Sequence, residues 1–261
     1  MGKGETNAGH GVRLAPTSPG TIGSYTGGRM AAFRWTKCFL VVVLCNACDL
    51  PRDSDGTLDR IRGGTMRVGV VVDTPWTSDS AGVAGGIEGG MVQSLARELN
   101  ARVQWISGQQ DDLLTALRHR ELDLVIGGLD AQSPWSKQVA FTRPYYTDTV
   151  AVGGAPNAPP PASLEKLTVA LAPGDAAAAQ VRKQGGVPRF VNNLESTSLP
   201  VAAPTWRLSR LSRRENPALT LVQTPHVLAV SPGENAWLMR VEQMLIARQD
   251  EVPRRLRQGL R

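Results

Sequence analysis

The 261-residue sequence predicts an α/β fold in which strands alternate with helices. Three observations carry that prediction. The run MRVGVVV at residues 66–72 is β-branched and apolar without alternation, as in a strand buried on both faces. Met91, Val92, Leu95, Ala96 and Leu99 fall at helical spacing behind it. Further strand and helix patterns then succeed one another, which implies right-handed crossovers and a mostly parallel sheet.

Each element follows from its own residues. After the helix around residues 91–99, residues 103–106 read as a short strand, and Leu113, Leu114 and Leu117 mark a second helix. Residues 122–126 read as a third strand, expected to stop at Gly127 and Gly128. A Pro-rich boundary, GGAPNAPPPAS at 153–163, precedes a second unit. Its strand LTVALA (167–172) turns at Pro173-Gly174 into an Ala-rich helix with Asp175 as N-cap. LSRRENPA reads as loop, and residues 221–245 as a strand followed by a helix bearing Leu238, Val241 and Leu245. There is no internal repeat and no heptad pattern.

In a parallel sheet of this kind, ligands bind beyond the carboxyl ends of the strands. Residues 73–76 and 127–130 reach that edge in the first unit. The helix start after residue 174 offers bare N–H groups in the second.

The formal charge of +6 is unevenly placed. Lys3, Arg13, Arg29, Arg34 and Lys37 precede Cys48 with Glu5 as the one acid, so the rest of the chain is nearly balanced. Arg254, Arg255, Arg257 and Arg261 form a C-terminal cluster that reads as a solvated helix face, and no nucleic-acid partner is expected. Residues 1–29 are Gly-rich and aperiodic, a disordered extension upstream of a start at Met30. Residues 30–47 have the form of a secretory signal, with Arg34 and Lys37 ahead of the apolar core CFLVVVLC, which is too short to span a bilayer. Residues 48–64 are polar and read as a tether. After processing only Cys48 would remain, which leaves no disulfide and no Cys-based metal site.

The ending LCNAC resembles a bacterial lipobox, which implies lipidation at Cys48 and, with Asp49 behind it, retention at the inner membrane facing the periplasm. The mature chain resembles the bacterial extracellular solute-binding proteins of family 3, which serve polar amino acid ABC importers. The resemblance rests on MRVGVVVD, the small-residue turn before Ile87-Glu88, the spacing around Asp123, and KQVAFTRPYY. It continues through SLEKLTVALAPGD, LPVAAPTWRL and HVLAVSPGENAWLMRVEQML. It implies a two-lobed type II periplasmic-binding-protein fold joined by two crossovers, near residues 150–154 and 224–227. Residues 65–152 with 227–261 would form the first lobe, and 153–226 the second.

The same resemblance nominates a pocket. Trp76 stands where the family stacks an aromatic on its ligand, and Gly127 and Gly128 where small residues hydrogen-bond it. Asp130 stands where Ser or Thr is usual. Trp135 occupies the place of the arginine that forks onto the ligand carboxylate, with Lys137 two residues on. Asp175 and Ala176 replace lobe-two hydroxyls. The position of the family's amine-binding carboxylate falls in the apolar stretch 201–204, followed by Trp206. An ionised Asp repels a ligand carboxylate 4 Å away by roughly 4 kcal/mol at an effective dielectric near 20. Three indoles and two carboxylates instead suit an amine or quaternary ammonium. A local reading stands beside it: Asp175 caps a helix, Ser133-Pro134 is N-cap and N1, and Asp130 bonds the nearby backbone.

The resemblance therefore implies a monomeric, lipid-anchored binding protein that closes on a small polar solute and passes it to an inner-membrane ABC permease. A ligand-sensing or accessory lipoprotein is the alternative. A cyclohexadienyl-dehydratase-like enzyme is the third reading, with Glu88, Asp130 and Asp175 as its available acids. His10, His119 and His226 form no cluster in the sequence, and no phosphate loop, metal spacing or nucleophile motif appears, so neither a catalytic residue nor a cofactor nor a metal is expected.

Overall fold

The structure is a computed structural model that describes residues 53–259, with the backbone alone at 215–218. The expected extension (1–29), signal segment (30–47) and lipidation site Cys48 lie outside the described residues. The described chain runs α1 (Thr57–Ile61), β1 (Thr65–Val70), β2 (Ser78–Ser80), β3 (Val83–Gly85), α2 (Gly86–Glu98), β4 (Arg102–Ser107), α3 (Gln110–Arg118) and β5 (Leu124–Asp130). A 3-10 turn (Pro134–Lys137), β6 (Ala140–Phe141) and β7 (Tyr146–Gly153) follow. The second part holds β8 (Thr168–Leu171), α4 (Ala177–Lys183), β9 (Val187–Phe190), β10 (Val201–Pro204) and α5 (Thr205–Arg210). The long strand β11 (Glu215–Val230) leads back to α6 (Asn235–Arg248) and α7 (Glu251–Gln258).

Strand order across the main sheet is β4-β1-β5-β11-β7-β10-β8-β9, with β6 alongside β11. Its two ends are parallel: β4, β1 and β5 on one side, β10, β8 and β9 on the other. The middle is antiparallel, because β11 pairs with β5 and β7, and β7 with β10. Two α/β lobes are thus joined by one antiparallel pair, in which Gln223 faces Thr149 and His226 faces Tyr146. Both crossovers run through this pair.

Each lobe is packed on both faces of its sheet. On one face of the first lobe, Met66, Val68, Val70, Leu124 and Ile126 meet Ile87, Met91 and Leu95 of α2 and Trp237, Val241 and Leu256 of the C-terminal helices. On the other, Val125 and Leu129 meet Leu113, Leu114 and Leu117 of α3. Alternate residues of β5 divide between the two cores, as the strand pleat dictates. The second lobe repeats the plan with Val169, Leu171 and Val181 on one face and Ala170, Val201 and Leu208 on the other. Burying each large aliphatic contributes about 1.5–3 kcal/mol.

Three expectations change. Residues 53–64 are part of the fold rather than a tether: Leu58 and Ile61 enter the first core, and Glu234 receives Ser54 Oγ–H, Asp55 N–H and Thr57 N–H at 2.8, 2.9 and 3.1 Å. Asp53 answers by accepting from Leu58 N–H and Trp237 N–H, both at 2.8 Å. The bonds to Glu234 and the bond from Trp237 to Asp53 span about 180 residues of sequence, so no local pattern announced them. The third strand continues through Gly127-Gly128 to Asp130, because β11 supplies ladder partners for Leu129 and Asp130. The LSRRENPA segment is only partly loop, since β11 begins at Glu215 and is held there by Gly153 of β7.

Asp123, central to the spacing that marked the first lobe, clamps the start of the sheet. Burial alone would raise its carboxyl, but Arg67 and Arg60 hold it below the ordinary value. Its carbonyl accepts the Trp237 indole N–H at 2.7 Å, which ties α6 to β5.

Candidate functional site

β1 and β5 deliver their carboxyl ends to one edge, and the chain there is shaped by a tight local network. Asp73 N–H donates to Thr77 Oγ1 at 3.0 Å, Thr77 N–H returns to Asp73 O at 2.8 Å, and Thr77 Oγ1–H donates to Val71 O. This turn directs Trp76 inward, where it is 3% exposed. The Trp76 ring lies 4.0 Å from His226, 5.6 Å from Tyr146 and 6.1 Å from Tyr145, the last edge-on.

Gly127 and Gly128 adopt φ of 137° and 64°, a backbone that side-chain-bearing residues rarely take. Space forbids a side chain as well: a Cβ on Gly128 would lie 2.6 Å from both Asp73 Oδ2 and Trp76 Cδ1. The Asp73 carboxylate therefore sits directly over Gly128. The two glycine N–H groups turn inward to Glu88, at 2.6 and 3.1 Å, while Tyr145 O–H donates to the same carboxylate. His226 Nδ1–H donates to Gly128 O at 3.0 Å, which leaves Nε2 as the acceptor of the neutral ring.

Charge and burial set the titration of this cluster. Burial pushes Glu88 up to about 7 against the pull of Tyr145 and the two glycine N–H groups, and Asp73 adds repulsion. Partial desolvation also raises Asp73. Burial raises Asp148 on β7, opposed by Thr149 N–H and the Trp206 indole, with Asp73 adding a second negative charge. Tyr145 is raised well above the usual phenol value by burial and by Glu88, and Tyr146 is pushed up to about 12. Burial lowers His226, so the ring is neutral near pH 7. Asp148 Oδ1 and Trp206 Nε1 are buried without a hydrogen-bond partner, although the indole lies close enough to act on the carboxylate.

The residues nominated from the sequence are distributed unevenly. Trp76, Gly127 and Gly128 come together in this cluster, and Trp206 reaches it from the second lobe by packing against the first core. Asp130 sits beside it as the strand partner of His226, with Oδ1 accepting Gln132 N–H at 2.9 Å. Trp135 packs on the opposite, α3-side core and donates its indole N–H to Asp111 at 2.8 Å. Asp175 accepts Ala177 N–H at 2.9 Å at the start of α4. Asp73, Tyr145, Tyr146, Asp148 and His226 were not nominated. Asp73 lay inside the segment already placed at the sheet edge. Tyr146 and Asp148 arrive on β7, Tyr145 just before it and His226 on β11, and the pairing of those two strands is long-range and invisible to local pattern.

The arrangement presents two carboxylates, Asp73 and Asp148, the latter near Tyr146 and the Trp206 indole, and neither carboxylate has an ion-pair partner among the described residues. Such a group attracts a cation and repels an anion. No group of His, Cys, Asp or Glu among the described residues is placed to hold a metal ion, and no described helix is long and apolar enough to cross a membrane.

Comparison with known proteins agrees with this architecture. The family model for the bacterial extracellular solute-binding proteins, family 3, matches residues 66–251. ABC transporter arginine-binding protein 1 of Escherichia coli K12 is 34% identical over 62 residues, 24% of this chain and 26% of that protein. The arginine-binding periplasmic protein of Mannheimia haemolytica is 29% identical over 66 residues, 25% of this chain and 28% of the relative. The chain thus spans about a quarter of the length of these curated relatives. Among solved structures, an ancestral cationic amino acid solute-binding protein superposes with a TM-score of 0.62 at 20% identity, covering 77% of this chain and 98% of its own. The L-cystine solute receptor of Neisseria gonorrhoeae, unliganded and open, gives 0.58 at 16% identity, with 76% and 92% covered. At these identities the superpositions establish the fold, a two-lobed type II periplasmic-binding-protein architecture.

Proposed function

Because the chain belongs to the bacterial extracellular solute-binding proteins of family 3, we propose that it captures a small amine-bearing solute between its lobes and delivers it to an inner-membrane ABC permease. The observation that carries the choice of solute is the pair of unpaired carboxylates, Asp73 and Asp148, set among aromatic rings where the lobes meet. A ligand ammonium or guanidinium 4 Å from one of them gains roughly 4 kcal/mol at an effective dielectric near 20. Tyr146 and Trp206 add cation–π attraction of about 0.5–2 kcal/mol. The matched relatives are arginine-binding proteins by name, which supports the same chemistry.

Closure follows from the fold. Residues 65–152 with 227–261 act as one lobe and 153–226 as the other, and the β7/β11 pair between them absorbs a small rotation as a hinge. Asp73 comes from the first lobe, Trp206 from the second and Asp148 from the hinge strand, so the closed form collects contacts that the open form lacks. The protein works as a monomer held at the inner membrane through lipidated Cys48, facing the periplasm. It binds rather than transforms its solute. Glu88, the acid that titrates near neutrality, is 0% exposed with its oxygens committed to Gly127, Gly128 and Tyr145.

Calorimetric titration with arginine, lysine, ornithine and putrescine, with glutamate as the control, tests the reading. Saturable binding of the cationic set, weakened about ten-fold or more by Asp148→Asn, is the expected result. Tighter binding of glutamate than of arginine would refute it.

A further inference from the structure

A cavity of about 520 Å³ opens between α5 and α7, walled by Tyr146 and Trp206 and lined by Thr205, Ser209, Arg214 and Arg257. It differs in chemistry from the acidic cluster of Asp73 and Asp148, neither of which lines it. The Arg257 guanidinium is near enough to the Tyr146 phenol to act on it electrostatically, so this side chain leans over the cavity rather than away from it. Arg213, also on the wall, is spent on the carbonyls of Gly154, Leu199 and Thr197. Arg214 and Arg257 make no ion pair or side-chain hydrogen bond with any described residue. Two free guanidinium forks and two hydroxyls face one concave space whose lining holds no carboxylate.

We propose that this cavity is a second ligand site, for a small anion carrying two or more negative charges, of phosphate or polycarboxylate type. Each guanidinium presents the planar fork that fits two oxygens of such a group, and the Thr205 and Ser209 hydroxyls complete its shell. The two arginines come from different parts of the molecule. Arg214 precedes β11 in the second lobe, whereas α7, which carries Arg257, is anchored by Val252 and Leu256 in the core of the first. A bound anion therefore ties the lobes together across α5 and α7 and favours the arrangement in which they touch. The site shares the Tyr146 and Trp206 walls with the amine-binding cluster but draws its charge from Arg214 and Arg257 rather than from Asp73 and Asp148.

Inorganic phosphate and citrate, titrated separately into the full-length protein at fixed ionic strength, test the site by calorimetry and by thermal unfolding. One-to-one saturable binding of either, with a raised melting temperature that matched sodium chloride does not reproduce, is expected, and comparison of the two ions identifies the preferred geometry. Arg257→Ala and Arg214→Ala should each weaken binding about ten-fold or more, the worth of a charge-assisted pair. Both side chains are exposed, so the variants should fold. Ser209→Asp is a second check: its carboxylate would take the place of the anion, so it should abolish binding. Asp148→Asn should leave anion binding intact or stronger while the amine response falls, which separates this site from the amine-binding one. Equal stabilisation by chloride, or unchanged affinity in Arg257→Ala, would overturn the proposal.

Discussion

The Glu88 carboxylate receives the Gly127 N–H at 2.6 Å, from inside the first lobe. Gly128 N–H joins it at 3.1 Å, so the strand-end donors that the sequence offered to a solute are consumed by the protein's own buried acid. The consequence is a rigid strand end, with Asp73 above it and the Trp76–His226 pair beside it. The polar groups left open to a solute are carboxylates rather than amides.

Glu88 makes stability depend on pH in an unusual sense. Its folded value of about 7 stands above the ordinary 4.5, so between these limits the folded protein keeps a proton that the unfolded chain has released. This contribution is complete below about pH 4.5 and is lost as pH rises through about 7, a loss on the order of 3 kcal/mol. Urea midpoints from pH 4.5 to 8 should fall along this window in the native protein and stay flatter in Glu88→Gln. Superimposable profiles would show that Glu88 is ionised throughout.

Gly128→Ala should cost at least about 2 kcal/mol, combining an unfavourable left-handed backbone with a clash against Trp76 and Asp73. Chemical denaturation measures the loss. Because the indole is displaced, the Trp fluorescence of the folded state should shift with it.

Asp148→Asn should stabilise the unliganded protein, since burial disfavours the charged form of this carboxylate and the amide carries no charge. The same change should weaken binding of arginine or lysine. A variant that is more stable and binds less well is the signature of a charge kept for its ligand; loss of both properties would mark Asp148 as structural.

Trp135→Arg should leave the solute profile unchanged. The new guanidinium would meet Asp111, which already accepts the indole N–H, on the α3 side of the sheet, away from Trp76. Calorimetry against a panel of amino acids checks this, and a gain of affinity for α-carboxylates would place residue 135 in the cleft.

Glu234→Ala should release residues 54–57 by removing the acceptor of three hydrogen bonds, lowering stability by about 2–4 kcal/mol. Faster amide exchange confined first to residues 54–61 is the expected readout.

Local pattern was sufficient for four elements of the first lobe. β1, α2, β4 and α3 each lie within a few residues of where apolar spacing put them, because each buries a face made from its own neighbours in sequence. It was insufficient for β5 beyond Ile126 and for the start of β11, where the ladder partners lie about a hundred and about sixty residues away and override the glycines and the polar run. Trp76 and Trp206 were nominated from their positions, and the fold packs both against the first core. That Trp76 would be buried against His226 was not legible, since the ring reaches that partner only after β11 docks on β5.

The amino-acid sequence by itself determined the alternation of strands and helices, the two-lobed family architecture and the segments that meet at the carboxyl edge of the first sheet. Tertiary structure alone decided which groups at that edge remain available. Packing is a property of the whole: it turned the glycine amides to Glu88, tied Asp130 and Asp175 to nearby backbone, and left Asp73 and Asp148 without an ion-pair partner among the described residues. Residue type announces a charge, but only the surrounding packing settles whether that charge is already satisfied.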